Sequence, residues 1–251
     1  PELTAGTGRH EHTPAFVPAP GLRVVSYNLL ATTYADTEYA RKKLFPYVDS
    51  KWMDTEYRRQ MQLQEILGFH ADIVCLQEVD ARVFDQYLEP QLATFGYEGS
   101  LLRKAGSVKE GEATFWNAKR YKLIDQKDVT LRNCFSEESM REGARHAQFR
   151  ELLSHESNAE LRRVISSKLT TVAQIVLLGP ANEDFENDGY LVVINTHLFF
   201  HPGASHIRML LAAAILGEVE AECLEWRRTL PGHVTGPGGH VTGHEAGEGG
   251  R

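Results

Sequence analysis

The run Val24-Val25-Ser26-Tyr27-Asn28-Leu29-Leu30 is answered fifty residues later by Ile73-Val74-Cys75-Leu76-Gln77-Glu78-Val79. In each, a short apolar strand ends on a polar residue, Asn28 in the first and Glu78 in the second. Leu191-Val192-Val193-Ile194-Asn195-Thr196-His197-Leu198 repeats the pattern with a histidine. Side chains alternate along a strand, so Val24, Ser26 and Asn28 are expected to share a face. The same holds for Val74, Leu76 and Glu78, and for Val193, Asn195 and His197. Open α/β sheets place sites at strand ends, where the core holds them rigid and a ligand reaches them. An amide, a carboxylate and an imidazole at three such ends suggest a hydrolytic centre built around a divalent metal.

Outward from these strands the chain alternates between strand and helix patterns. A strand over 22–27 is followed by a long loop with a helical turn over 31–55, which holds Tyr34, Tyr39, Phe45, Tyr47 and Trp52. Leu63, Ile66 and Leu67, three and four apart, predict a helix over 58–69, before the strand at 72–77. A second helix is expected over 81–95, crossing Pro90, then short strands near 97–102, 113–116 and 123–131. Residues 133–168 read as polar and helical. Strands at 170–178 and 190–196 form a hairpin-like pair. Ile207, Leu210, Leu211, Ala214 and Ile215 make one apolar face of a helix over 206–228.

The ends differ in composition. Residues 1–21, with Pro1, Pro14, Pro18 and Pro20, read as a disordered lead-in. The domain spans 22–228, and 229–251 reads as a Gly/His-rich disordered tail. His233, His240 and His244 in that tail are either weak chelators or part of a low-complexity run.

Composition narrows the function classes. With 42% hydrophobic and 24% charged residues the chain is ordinary for a globular protein, and its apolar runs are too short to cross a bilayer. A formal charge of −7 argues against a non-specific grip on nucleic-acid backbone. It leaves room for a nucleic-acid enzyme whose metal supplies the positive charge. The basic group Arg141, Arg145, Arg150, Arg162, Arg163 and Lys168 either helps locally or decorates solvated helix faces. Three widely spaced cysteines, Cys75, Cys134 and Cys223, favour free thiols in a reducing compartment over a disulfide scaffold or a zinc site.

Each candidate residue has more than one reading. Glu78, after an apolar run, is expensive to bury unless coordinated or paired, so it is a magnesium ligand or the partner of an arginine. Asn28 orients that carboxylate, binds a phosphate oxygen, or is a turn residue. His197 donates to a phosphate oxygen as charge develops, or is structural. The aromatic loop stacks bases, or packs on the domain.

Taken in order, SYNLLA from Ser26, DIVCLQEVD from Asp72, EGEATFW from Glu110 and INTHL from Ile194 closely resemble the endonuclease/exonuclease/phosphatase family. The resemblance runs from about residue 22 to 220 and is to the deadenylase-type branch, which Phe45-Pro46-Tyr47, Phe95-Gly96-Tyr97-Glu98-Gly99 and Phe200-His201-Pro202 also fit. It implies the N-terminal portion of a two-sheet α/β sandwich. It also implies magnesium-dependent phosphodiester cleavage, with manganese as a substitute ion. By position, Glu78 would be the metal ligand, Asn28 would sit in the metal and phosphate shell, and His197 would stabilise the phosphate. Asn195 and His201 stand as the candidate substrate-binding residues. The implied substrates are adenylate-rich RNA 3′ ends and 2′,5′-oligoadenylate, with no membrane and no obligate protein partner. The implied compartment is the mitochondrial matrix, with the cytoplasm as alternative.

One departure is large. Family members continue after the last helix to a Gly-Asp-Phe-Asn strand end and finish near Ser-Asp-His; neither motif occurs in this sequence. The expectation is a C-terminally truncated chain lacking the opposite wall of its site. The alternative function is then a catalytically inactive half-domain with a binding or regulatory role.

Overall fold

The computed structural model describes residues 21–182 and 189–230, together with Thr13 and Val17. The rest of the expected lead-in, and the expected tail from 231 onward, lie outside the described residues.

The chain opens with β1 (Val24–Asn28), α1 (Thr32–Ala35), a π-helical turn (Ala40–Leu44) and a 3-10 turn (Ser50–Met53), then α2 (Thr55–Gly68) and β2 (Ile73–Asp80). Next, α3 (Ala81–Val83), a π-helical turn (Phe84–Leu88) and α4 (Glu89–Thr94) form one helical stretch. It leads to β3 (Tyr97–Arg103), β4 (Glu110–Asn117) and β5 (Tyr121–Thr130). A 3-10 turn (Leu131–Phe135), α5 (Phe149–Ser154), α6 (Ala159–Lys168), β6 (Val172–Pro180), β7 (Leu191–Thr196) and α7 (Ser205–Thr229) follow.

Local chemistry explains the helix starts. The Asp54 carboxylate accepts from the Tyr57 amide at 3.0 Å, satisfying a donor that the first turn of α2 leaves free. Pro90 lies in the first turn of α4, where its missing N–H costs little.

Two sheets result, ordered β1-β2-β4-β3 and β5-β6-β7. Among the described residues only β1 and β2 pair in parallel, with α2 in the crossover between them. Leu63 and Ile66 of α2, with Leu88 and Leu92, cover the outer face of the first sheet at Val74, Leu76 and Phe115. Phe149, Leu153, Ile165, Ile207 and Leu211 cover the outer face of the second at Ile175 and Leu177. Between the sheets lie Ile73, Cys75, Trp116, Val176, Leu178 and Val193. Each large aliphatic chain so buried contributes about 1.5–3 kcal/mol. The layers run helix, sheet, sheet, helix: the expected two-sheet α/β sandwich.

The structure departs from the sequence expectations in several places, and residues 136–148, inside the stretch expected to be helical, form turns. The strand carrying Glu78 runs on to Asp80, but its register against β4 shifts between Leu76 and Val79, and Glu78 has φ +55°. Alternation breaks there: Val74 and Leu76 face the helices, whereas Glu78 turns towards β1. At the other end, α7 includes Thr229, the first residue of the expected tail, because the Leu230 amide still reaches the Trp226 carbonyl.

β7, the edge of the second sheet, lies over β2, so β1 overhangs it. Val24, on the inner face of β1, is 54% exposed in consequence.

Candidate functional site

The parallel pairing sets Asn28 beside Gln77, one residue short of Glu78. The Asn28 amide donates from Nδ2 to Glu78 Oε1 at 2.9 Å, and the Ala31 backbone amide donates to Oε2 at 3.2 Å. Asn28 Oδ1 in turn accepts from the Leu30 amide at 2.8 Å. Leu30 and Glu78 both have φ near +55°, a region that costs non-glycine residues roughly 1–2 kcal/mol and gathers at functional sites. The surroundings hold them there. Arg58 of α2 donates to the carbonyls of both Leu29 and Leu30 at 2.7 Å, and Gln62 donates to Leu29 at 2.7 Å.

His197 follows β7 and brings Nδ1 to 3.6 Å from Glu78 Oε1, beyond hydrogen-bond reach, and that nitrogen has no other partner. Burial, with help from the Lys104 charge, holds the imidazole below its ordinary value, so the ring is neutral at pH 7.

Two further carboxyl groups sit behind it. Glu110 is fully buried and accepts from Lys104 Nζ at 2.7 Å and from the Tyr34 hydroxyl at 3.1 Å. Burial first, then the Glu110 charge, pushes the Tyr34 phenol up to about 12, so it stays a donor. Glu112, also fully buried, has no well-aligned hydrogen bond to either oxygen, and burial pushes its carboxyl up to about 8. Gly111 between them is obligatory: a Cβ there would stand 2.0 Å from the Leu102 carbonyl oxygen.

Glu78 and His197 open on a pocket of about 610 Å³ that is also lined by Leu30, Tyr34, Lys104 and Phe199, among others. Tyr39 and Phe200, both largely exposed, stand at its rim with Lys168. Of the expected site residues, Asn28, Glu78 and His197 therefore converge. Asn195 and His201 do not join them. Asn195 is buried between the sheets: Nδ2 donates to the Leu76 and Ala113 carbonyls at 3.1 and 3.0 Å, and Oδ1 accepts from Gln77 at 2.9 Å. With its hydrogen bonds committed there, it ties the sheets together instead of facing a substrate. His201 is exposed and accepts through Nδ1 from the Gly203 amide at 3.2 Å, which shapes the turn before α7.

Sequence reading missed Lys104, Arg58 and Gln62, which carry no local signal. The paired carboxylates of Glu110-Gly111-Glu112 inside an apolar strand are visible in the sequence as part of the EGEATFW motif.

Magnesium takes oxygen ligands, keeps several waters, and needs only one or two carboxylates from the protein. Glu78 fits that requirement: two amide donors orient its carboxylate, no cation pairs with it among the described residues, and it faces the pocket. Asn28 Oδ1, engaged by Leu30, suits an orienting role better than ligation.

No protein-family model matches the chain. Individual relatives do. Human 2′,5′-phosphodiesterase 12 is 33% identical over 211 residues, 84% of this chain and 32% of that protein. The rat protein of the same name is 32% identical over 208 residues, 83% of this chain and 32% of that one. The CCR4-Not complex 3′-5′-exoribonuclease subunit Ccr4 of Schizosaccharomyces pombe is 25% identical over 213 residues, covering 81% and 28%. Among solved structures, ANGEL2, a 2′,3′-cyclic phosphatase, superposes with TM-score 0.61 at 21% identity, over 80% of this chain and 48% of that one. The human Nocturnin catalytic domain gives 0.55 at 21%, over 86% and 65%.

The chain is thus similar over most of its length to phosphodiesterases and exoribonucleases, and its fold is that of the endonuclease/exonuclease/phosphatase proteins. Its curated relatives include the 2′,5′-phosphodiesterase 12 proteins and Ccr4. The chain spans about a third of the length of those relatives.

Proposed function

We propose that this chain carries the metal-binding wall of a magnesium-dependent phosphodiesterase site, acting on 2′,5′-oligoadenylate and adenylate-rich RNA 3′ ends. The carrying observation is the Glu78 carboxylate, held by Asn28 and the Ala31 amide at the mouth of an aromatic pocket. Asn28 keeps one carboxylate oxygen fixed, so the pocket is organised before an ion arrives. Neutral His197 is positioned to donate to a non-bridging phosphate oxygen as negative charge develops there. Tyr34, Phe199 and the rim aromatics Tyr39 and Phe200 offer ring faces to bases, a grip that tolerates many sequences. Lys168 adds positive charge beside the pocket for the substrate backbone. A divalent ion on Glu78 would supply positive charge to the phosphate and polarise its P–O bonds. The mitochondrial matrix, which the resemblance implies, is the compartment of this reading.

A second reading is that the chain by itself binds metal and oligoadenylate without cleaving. Its support is specific: of the carboxylates behind Glu78, Glu110 is tied to Lys104 and Tyr34 and Glu112 is fully buried, so neither is free to hold an attacking water. Incubating the purified chain with magnesium and short 2′,5′- or 3′,5′-oligoadenylates separates the two. AMP release that disappears in Glu78→Gln supports the first. Binding without release, also dependent on Glu78, supports the second. Absence of both effects contradicts each.

A further inference from the structure

We propose that Cys134, His146 and Glu218 form a second metal site, for a thiophilic ion such as zinc, under α7 on the outer side of the second sheet. One ligand atom from each of Cys134, His146 and Glu218 lies within 4.8 Å of the other two, and all three residues are buried. Oε1 is the shared focus: His146 Nε2 is 2.7 Å from it and Cys134 Sγ 3.9 Å. Zinc bonds of roughly 2.0–2.3 Å in a tetrahedron separate ligand atoms by roughly 3.3–3.7 Å, so the cluster reaches ion-binding geometry with shifts of about 1 Å or less.

The surroundings suit such a centre. Arg145 binds Oε2 of Glu218, the oxygen that neither His146 nor Cys134 engages, and so orients the carboxylate while Oε1 stays with the cluster. Its guanidinium also lies 3.8 Å from Glu222, which balances its charge outside the site. Outer partners of this kind hold metal-binding carboxylates in place. The His146 ring stacks on Phe149 with centroids 5.9 Å apart, and its Nδ1 makes no bond that would draw the imidazole elsewhere. Thiolate, imidazole and carboxylate together are a zinc-type ligand set, whereas Glu78 offers a carboxylate and no thiolate.

The site also meets a structural need. Between the 3-10 turn ending at Phe135 and α5, residues 136–148 form turns alone, with neither helix nor strand. His146 is in that segment, Cys134 at its start and Glu218 on α7, so an ion would cross-link the segment to the longest helix of the fold.

Cobalt(II) tests this, because a thiolate ligand gives it an intense near-ultraviolet charge-transfer band that histidine and carboxylate ligands lack. The full chain with one equivalent of cobalt should show the band, and zinc should displace it. Cys134→Ser should abolish the band with unchanged far-ultraviolet circular dichroism, whereas Cys75→Ser and Glu78→Gln should retain it. Should Cys134→Ser lose its fold, His146→Gln reads the same site through its second ligand and should weaken or shift the band. No band in the wild-type chain, a band surviving in Cys134→Ser, or one unchanged in His146→Gln overturns the proposal.

Discussion

Asn28 and Glu78, on neighbouring parallel strands, are joined by a hydrogen bond of 2.9 Å from Nδ2 to Oε1, and the second carboxylate oxygen is held by the Ala31 amide. The bond exists because β2 departs from regular strand geometry at Glu78, turning that side chain from the helix face towards β1. Removing the amide should loosen the carboxylate without disturbing the core. Asn28→Ala is expected to weaken manganese binding about 10-fold, the lower end of what outer partners of metal ligands contribute, with the melting temperature nearly unchanged. Isothermal titration alongside a thermal melt checks both halves.

Asn195 bridges the sheets through Leu76, Ala113 and Gln77. Truncating it removes a donor from the Leu76 and Ala113 carbonyls and one of three acceptors from the Gln77 amide, which keeps the Cys75 carbonyl and Ser26 Oγ, each lost hydrogen bond costing about 0.5–1.5 kcal/mol. Asn195→Ala should therefore destabilise the fold by at least about 2 kcal/mol in denaturant titration. A stable Asn195→Ala variant whose only defect is weak oligoadenylate binding would restore Asn195 to the substrate.

Gly111 has the Leu102 carbonyl oxygen and the Arg103 Cα within 2.0 and 2.7 Å of where a Cβ would stand, both rigid backbone. Gly111→Ala must push β3 and β4 apart, with an expected loss of about 3 kcal/mol. A chain of this size loses about 2–4 °C per kcal/mol, so differential scanning calorimetry should show a drop of roughly 6–12 °C.

Glu112 supplies a pH dependence. Its carboxyl rises from 4.5 to about 8, chiefly by burial and only partly offset by Lys104. The folded chain therefore holds a proton that the unfolded chain releases, and this contribution is complete below pH 4.5 and lost as pH rises through 8. Wild-type stability should fall across that window relative to Glu112→Gln, which carries no titrating group. Melting temperatures of the two that stay parallel from acid to pH 8 would contradict the assignment.

Much of this was legible in the sequence because periodicity reports burial. The apolar runs ending at Asn28, Glu78 and His197 gave three strands, and Ile207, Leu210, Leu211, Ala214 and Ile215 gave the buried face of α7. Other features depend on tertiary partners that one strand does not reveal. Asn195 alternates with His197 and so read as a site residue, yet its neighbours on that face are Gln77 and Thr114 of the other sheet, which enclose it. The break at Glu78 had no glycine to announce it. Arg58, 28 residues from the Leu30 carbonyl it binds, acts only once α2 folds back along β1. Cys134 meets Glu218, 84 residues away, only through the packing of α7, a neighbour that sequence spacing does not reveal.

The central claim is that Glu78 holds a divalent ion for phosphodiester chemistry, and its most direct test is a manganese titration of the wild-type chain and of Glu78→Gln, read by electron paramagnetic resonance. One bound ion per wild-type chain, absent from Glu78→Gln and shifted in affinity by added oligoadenylate, is the predicted result. Equal binding to both chains, or none to either, would contradict it.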